Sequence, residues 1–297
     1  MNIRFLSNVI AGALATPIIF SINNVHAESK LPQPNPAGSV LSGRLSNIND
    51  NGAYFAQKPY TGGASHAVGK IYSVSSGFAS NCSGSVINTS KRDLVITAAH
   101  CVANLVNGKW EISDRTRDVL KNKKMEFLPA FDGTKASSDP ARYPLGKWFV
   151  KDVYVLPKSS NSYIDVALLM IYPNEQGKYI QDVTGGYDIH EPITESDRIQ
   201  ASLIGYPSPS PFNGSQQSVC VGDYTYYPTK KNNGEISRVQ DQKECWVGGG
   251  ASGGPYLTQG KTSESPKQVL TVLNSNGGGN VPAVIDELLN QAGATRN

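Results

Sequence analysis

From Ala67 onward the chain repeats one pattern: short apolar, β-branched runs separated by clusters of turn-forming residues. The runs are Ile71–Val74, Ser85–Asn88, Leu94–Thr97, Trp148–Leu156, Val166–Ile171, Ile199–Ile204, Gln217–Val221 and Val269–Leu273. Many strands of this length, punctuated by Gly and Pro, specify an all-β barrel or sandwich. Two stretches depart from the pattern. Val102–Val106 reads as a short helical turn. Val281–Gln291 carries Val284, Ile285, Leu288 and Leu289 at helical spacing and reads as a terminal helix.

The beginning of the chain has a different character. Arg4 precedes a mostly apolar stretch from Val9 to Phe20, and Val25-His26-Ala27 offers a small-residue cleavage site. Residues 1–27 therefore read as a secretory signal peptide, too short for a membrane span. Export would leave Glu28 as the first residue, in the periplasm or the medium. Residues 28–65 are rich in Pro, Gly, Asn and Ser, and Pro32, Pro34 and Pro36 favour extended backbone. This segment is either a flexible arm or a propeptide. Residues 66–297 form the remaining domain. No later stretch approaches the roughly 18 apolar residues of a spanning helix.

Net charge is +3, and no block of like charge forms a nucleic-acid footprint. Lys121-Asn122-Lys123-Lys124 reads as a solvated loop. Four cysteines in an exported chain suggest two disulfides, with three pairings open. A zinc site would need closer cysteine spacing than this chain offers, so no metal or other cofactor is expected.

Three segments carry chemistry. Residues 95–101 read Val-Ile-Thr-Ala-Ala-His-Cys and place His100 at the end of an apolar strand. Residues 248–255 read Gly-Gly-Gly-Ala-Ser-Gly-Gly-Pro and place Ser252 among glycines. A serine hydroxyl is a weak nucleophile and needs a neighbouring base. A carbonyl under attack needs N–H groups aimed at its developing oxyanion. The amides of Gly250 and Ser252 are the candidates. Between these motifs, Asp165 opens the apolar run Val166–Ile171. A carboxylate carried into such surroundings needs a partner, and a histidine gives it a catalytic purpose. The other histidines considered, His66 and His190, sit beside no such motif and read as surface residues.

The order His100, Asp165, Ser252 and the motifs around them resemble the trypsin/chymotrypsin-like serine endopeptidases. The resemblance is closest to secreted bacterial members with a Gly-Ala-Ser-Gly-Gly-Pro loop. Supporting marks are Val68-Gly69-Lys70-Ile71, Cys82-Ser83-Gly84-Ser85-Val86-Ile87, Phe127-Leu128-Pro129, Gly146-Lys147-Trp148 and Gly205-Tyr206-Pro207. It covers roughly residues 66 to 290. It implies two six-stranded antiparallel β-barrels, with the terminal helix packed on the second. It also implies hydrolysis of protein or peptide substrates by a monomer through an acyl-enzyme. Its disulfide pattern implies Cys82–Cys101, which leaves Cys220–Cys245.

The resemblance also marks departures. Animal members carry aspartate immediately before the nucleophile, where it pairs with a new N-terminus; here the residue is Ala251. The pocket floor falls on Trp246, with Asn274 just ahead of the strand that lines the pocket and Ser275 after it. No acid occupies that floor to pair a substrate lysine or arginine. Two other classes compete. One is a catalytically silent homologue that binds proteins. The other is an α/β-hydrolase esterase, which needs a histidine after the serine, and none follows Ser252.

Overall fold

Five of the apolar runs close on one another, together with a sixth strand at Met125–Pro129. In the computed structural model, β1 (Ala53–Phe55) is followed by β2 (Val68–Ser75), β3 (Phe78–Val86) and β4 (Leu94–Thr97). Next come the hairpin β5 (Ala103–Val106) and β6 (Lys109–Ile112), helix α1 (Asp114–Lys121), and strands β7 (Met125–Pro129), β8 (Trp148–Val155) and β9 (Ala167–Ile171). Strands β2-β3-β4-β9-β8-β7 form a closed barrel. The structure describes residues 53–56, 58–62, 65–156, 164–193, 197–231, 234–241, 248–258, 267–274, 277–279 and 281–297. The leader at 1–27 and most of the arm, with Cys245, Trp246 and Ser275, lie outside them.

Every residue of β4 and β9 is buried. One face fills the barrel and the other is covered by neighbouring elements, so Leu94–Ile96 and Ala167–Ile171 are continuous apolar runs without alternation. Burying each large aliphatic side chain there contributes about 1.5–3 kcal/mol.

Helix α2 (Ile180–Thr184) follows β9 and touches β3. The second lobe is built from β10 (Asp188–Ile189), β11 (Asp197–Gly205), β12 (Ser218–Lys231), β13 (Gly234–Asp241), β14 (Pro255–Thr258), β15 (Gln268–Asn274) and β16 (Gly277–Gly279). Its eight-stranded sheet runs β1-β12-β11-β14-β15-β10, with β13 on β12 and β16 on β15. Strands β13 and β16 lie against each other, which curls the sheet round. Among the described residues no ladder joins them. Among the described residues the lobe is a curled sheet, and the second closed barrel that the resemblance implies is not shown in them.

Three local readings change. Ala103–Val106 is a strand, and the helical turn is confined to Ala99–Cys101. Asn107 and Gly108 both take positive φ, 50° and 76°, the two-residue turn that folds β5 onto β6. The helix α1 was not anticipated. Ser113 caps it, its hydroxyl accepting from the Thr116 amide at 3.1 Å, and Lys121 is its last residue. The terminal helix α3 (Val281–Ala292) buries Val281, Val284, Ile285, Leu288, Leu289 and Ala292. It contacts β8 and β9 as well as β15, so it bridges both lobes where packing on the second alone was expected.

The segment expected as an arm ends inside the fold. Strand β1 pairs with β12, Ala53 opposite Cys220. Ala53, Ala56 and Tyr60 are buried. Lys58 Nζ lies 2.8 Å from Asp132 Oδ1. This strap is held by the second-lobe sheet at one end and the first barrel at the other.

Candidate active site

Strands β4 and β9 run antiparallel, with Thr97 opposite Ala167. The residues just after β4 and just before β9 therefore meet at one end of the barrel. His100 occupies the helical turn after β4, and Asp165 lies two residues ahead of β9. The Asp165 side chain is 4 % exposed and that of His100 is 35 % exposed. Asp165 Oδ2 lies 2.7 Å from His100 Nδ1, and Oδ1 accepts from the His100 backbone amide at 2.8 Å. A carboxylate at Nδ1 favours a proton there, which leaves Nε2 as an acceptor.

A disulfide joins Cys82 on β3 to Cys101 beside the histidine. Cys220 is also disulfide-bonded, and its expected partner Cys245 lies outside the described residues. Cys82, His100 and Cys101 are the only close group of metal-type ligands among the described residues. With both sulfurs in the disulfide, only the imidazole could ligate.

Ser252 sits in the loop that leads into β14. Gly248, Gly250 and Gly253 take φ of 62°, 92° and 80°, the left-handed region open to glycine. A Cβ on Gly253 would collide with Thr97 Oγ1 and the Ser83 carbonyl. The loop is thus pressed against the first barrel. Ser83 N–H donates to the Ser252 carbonyl at 2.7 Å, and Gly253 N–H donates to the Leu273 carbonyl at 2.8 Å. The amides of Ala251 and Gly254 also have backbone acceptors. Those of Gly250 and Ser252 donate to no described residue. No hydrogen bond joins Ser252 Oγ to the His100 ring among the described residues. Such contacts are often long without substrate.

Asn274 is buried at the end of β15. Leu273 N–H donates to the Gly254 carbonyl at 2.9 Å, which brings this strand end alongside the serine loop. Trp246 and Ser275 are outside the described residues. Ala251 is fully buried among Ala201, Leu203, Tyr224 and Tyr256. His66 and His190, read as surface residues, are each partly buried. In the sequence Ser83 stands out only as part of the Cys82–Ile87 family mark. The structure shows it joined to the serine loop.

The family model of the trypsin-like peptidase domain matches residues 82–262. The chain belongs to the trypsin-like peptidase family. Three solved structures share the fold of this peptidase. One is the protease Anisep from Arthrobacter nicotinovorans, at 24% identity and TM-score 0.54, covering 76% of this chain and 95% of that one. Another is a thermostable serine protease from an extremophilic microorganism, at 19% identity and TM-score 0.54, covering 77% and 97%. The third is a Glu endopeptidase solved in complex with MPD, at 19% identity and TM-score 0.52, covering 82% and 97%. No curated protein matches the chain.

Proposed function

We propose that this peptidase is an exported serine endopeptidase that works through His100, Asp165 and Ser252. His100 Nε2 takes the Ser252 hydroxyl proton as Oγ attacks the scissile carbonyl. The amides of Gly250 and Ser252 receive the oxyanion. The tetrahedral adduct then expels the leaving amine, which takes the proton from His100, and an acyl-enzyme remains. Water attacks that ester with His100 again as base, and the acid product departs as Ser252 regains its proton. Asp165 holds the ring and stabilises its charged form. The observation that carries the reading is the two-point hold of buried Asp165 on His100.

Export rests on the leader at 1–27 and fits a disulfide-containing fold. No described helix is long and apolar enough to cross a membrane. The residues assigned to the pocket from the sequence, Trp246, Asn274 and Ser275, include no acid, and an unpaired substrate cation there would cost several kcal/mol. Cleavage after an uncharged residue follows. Digestion of a mixed peptide library by wild type and by Ser252→Ala tests the reading. Wild type should cut after uncharged residues and the variant should leave the library intact. Equal cutting by both proteins removes the triad. A dominant lysine or arginine preference removes the pocket assignment.

A further inference from the structure

Ser83 touches the serine loop twice. Its backbone N–H donates to the Ser252 carbonyl at 2.7 Å. Its hydroxyl donates to the Gly250 carbonyl at 2.8 Å. The same hydroxyl accepts from the Tyr206 amide at 2.8 Å. Ser83 is fully buried, so water does not compete for these groups. The direction of the relay is fixed, because an amide can only donate, a carbonyl can only accept, and a hydroxyl has one proton. The Ser83 carbonyl accepts from Thr97 Oγ1 at 2.8 Å, three residues ahead of His100.

The two carbonyls that Ser83 holds flank Ala251. Within the segment from Gly250 to Ser252, the first and last amides are the two with no acceptor among the described residues. Gly250 has φ of 92° and no side chain to fix its peptide. A second hold comes from the neighbouring peptide, where the Ser208 amide donates to the Gly249 carbonyl at 2.7 Å. A trans peptide points its N–H opposite to its C=O. Holding Gly249 C=O therefore aims Gly250 N–H the other way, and holding Gly250 C=O stops the next peptide from turning over.

We infer that the Ser83 hydroxyl is a positioning residue for the oxyanion-binding amides: by bridging Tyr206 N–H and Gly250 C=O it keeps the Gly250–Ser252 segment aimed for the transition state. The inference rests on the proposed role of Ser252. It assigns no substrate contact to Ser83.

The test is Ser83→Ala, with active sites counted by an organophosphonate probe and turnover given per titrated site. Loss of one oxyanion donor costs about 10²–10³ in kcat. A donor that is present but unsteady should cost about 10–10². KM should stay within about threefold, and affinity for a peptide boronic acid, which mimics the tetrahedral state, should fall in step with kcat. The shape of the pH profile should persist, because the His100–Asp165 pair is untouched. A merely structural role would reduce the number of titrated sites and leave turnover per site intact. Turnover per site within about twofold of wild type overturns the inference. If Ser83→Ala does not fold, Ser83→Thr keeps the hydroxyl and should retain turnover per site within about threefold. A folded threonine variant with a loss above about tenfold overturns it as well. Failure of wild type itself to react with the probe would instead sink the triad reading.

Discussion

Asp165 grips His100 at two points, the ring at Nδ1 from 2.7 Å and the chain at its own amide from 2.8 Å. The first sets the tautomer. The second fixes the helical turn that carries the ring. Both depend on carboxylate oxygens that accept without offering a proton. Asp165→Asn should therefore lower kcat by about 10⁴ through the wrong tautomer, with little change in KM. Steady-state kinetics on a peptide ester check this, and a loss below about tenfold would contradict it.

The strap gives a prediction about processing. A chain starting at Ala53 keeps β1, Ala56, Lys58 and Tyr60 and should match a chain starting at Glu28 in activity and melting temperature. A chain starting at Ser65 loses them and should melt about 5–10 °C lower, as a loss of a few kcal/mol implies for this size. Equal melting of the two would show that the strap is dispensable.

Within the strap, Lys58→Met isolates one ion pair, worth about 1 kcal/mol at this partial exposure. Burial alone would raise the Asp132 carboxyl, but hydrogen bonds from Lys58 and Thr134 outweigh it and hold the carboxyl below its ordinary value of 3.8. A depressed carboxyl stabilises the fold above that ordinary value, and the contribution fades as pH falls through the folded one. The melting difference between Lys58→Met and wild type should be full at neutral pH and shrink below about pH 4. A difference that grew on acidification would contradict the assignment.

Ala251 lies in an apolar site, where a Cβ on Gly205 would already stand 3.1 Å from its Cα. Ala251→Asp should overpack this site and bury an unpaired carboxylate, at several kcal/mol. It should fold poorly, while blocking the N-terminus of the wild-type chain should leave activity unchanged. An activity that requires one free N-terminal residue would overturn this account of activation.

Legibility in the sequence followed how strongly a local pattern determines its environment. Leu94–Ile96 and Val166–Ile171 are apolar throughout because both faces are covered, and their continuity marks them as strands without any tertiary knowledge. The hairpin turn at Asn107-Gly108 was written in the sequence, and the helical reading of Val102–Val106 overlooked it. Helix α1 is short and polar, with Thr116 and Val119 its only buried residues, so its periodicity is faint. The strap lies in a Pro- and Asn-rich region and is held by tertiary partners that no local pattern reveals, the Gln217 carbonyl, which accepts from the Ala56 amide at 2.9 Å, and Asp132. The motifs that carry His100, Asp165 and Ser252 stand out because their chemistry demands particular residue types. Ser83 does not, since its importance lies in which carbonyls it meets across a long sequence separation.

The most direct measurement is covalent labelling of the purified protein, starting at Glu28, with an organophosphonate, followed by mass spectrometry of its peptides. One adduct per molecule is expected, on Ser252, and almost none in His100→Ala, where the base is gone. An unlabelled wild-type protein, or an adduct on any other serine, would contradict it.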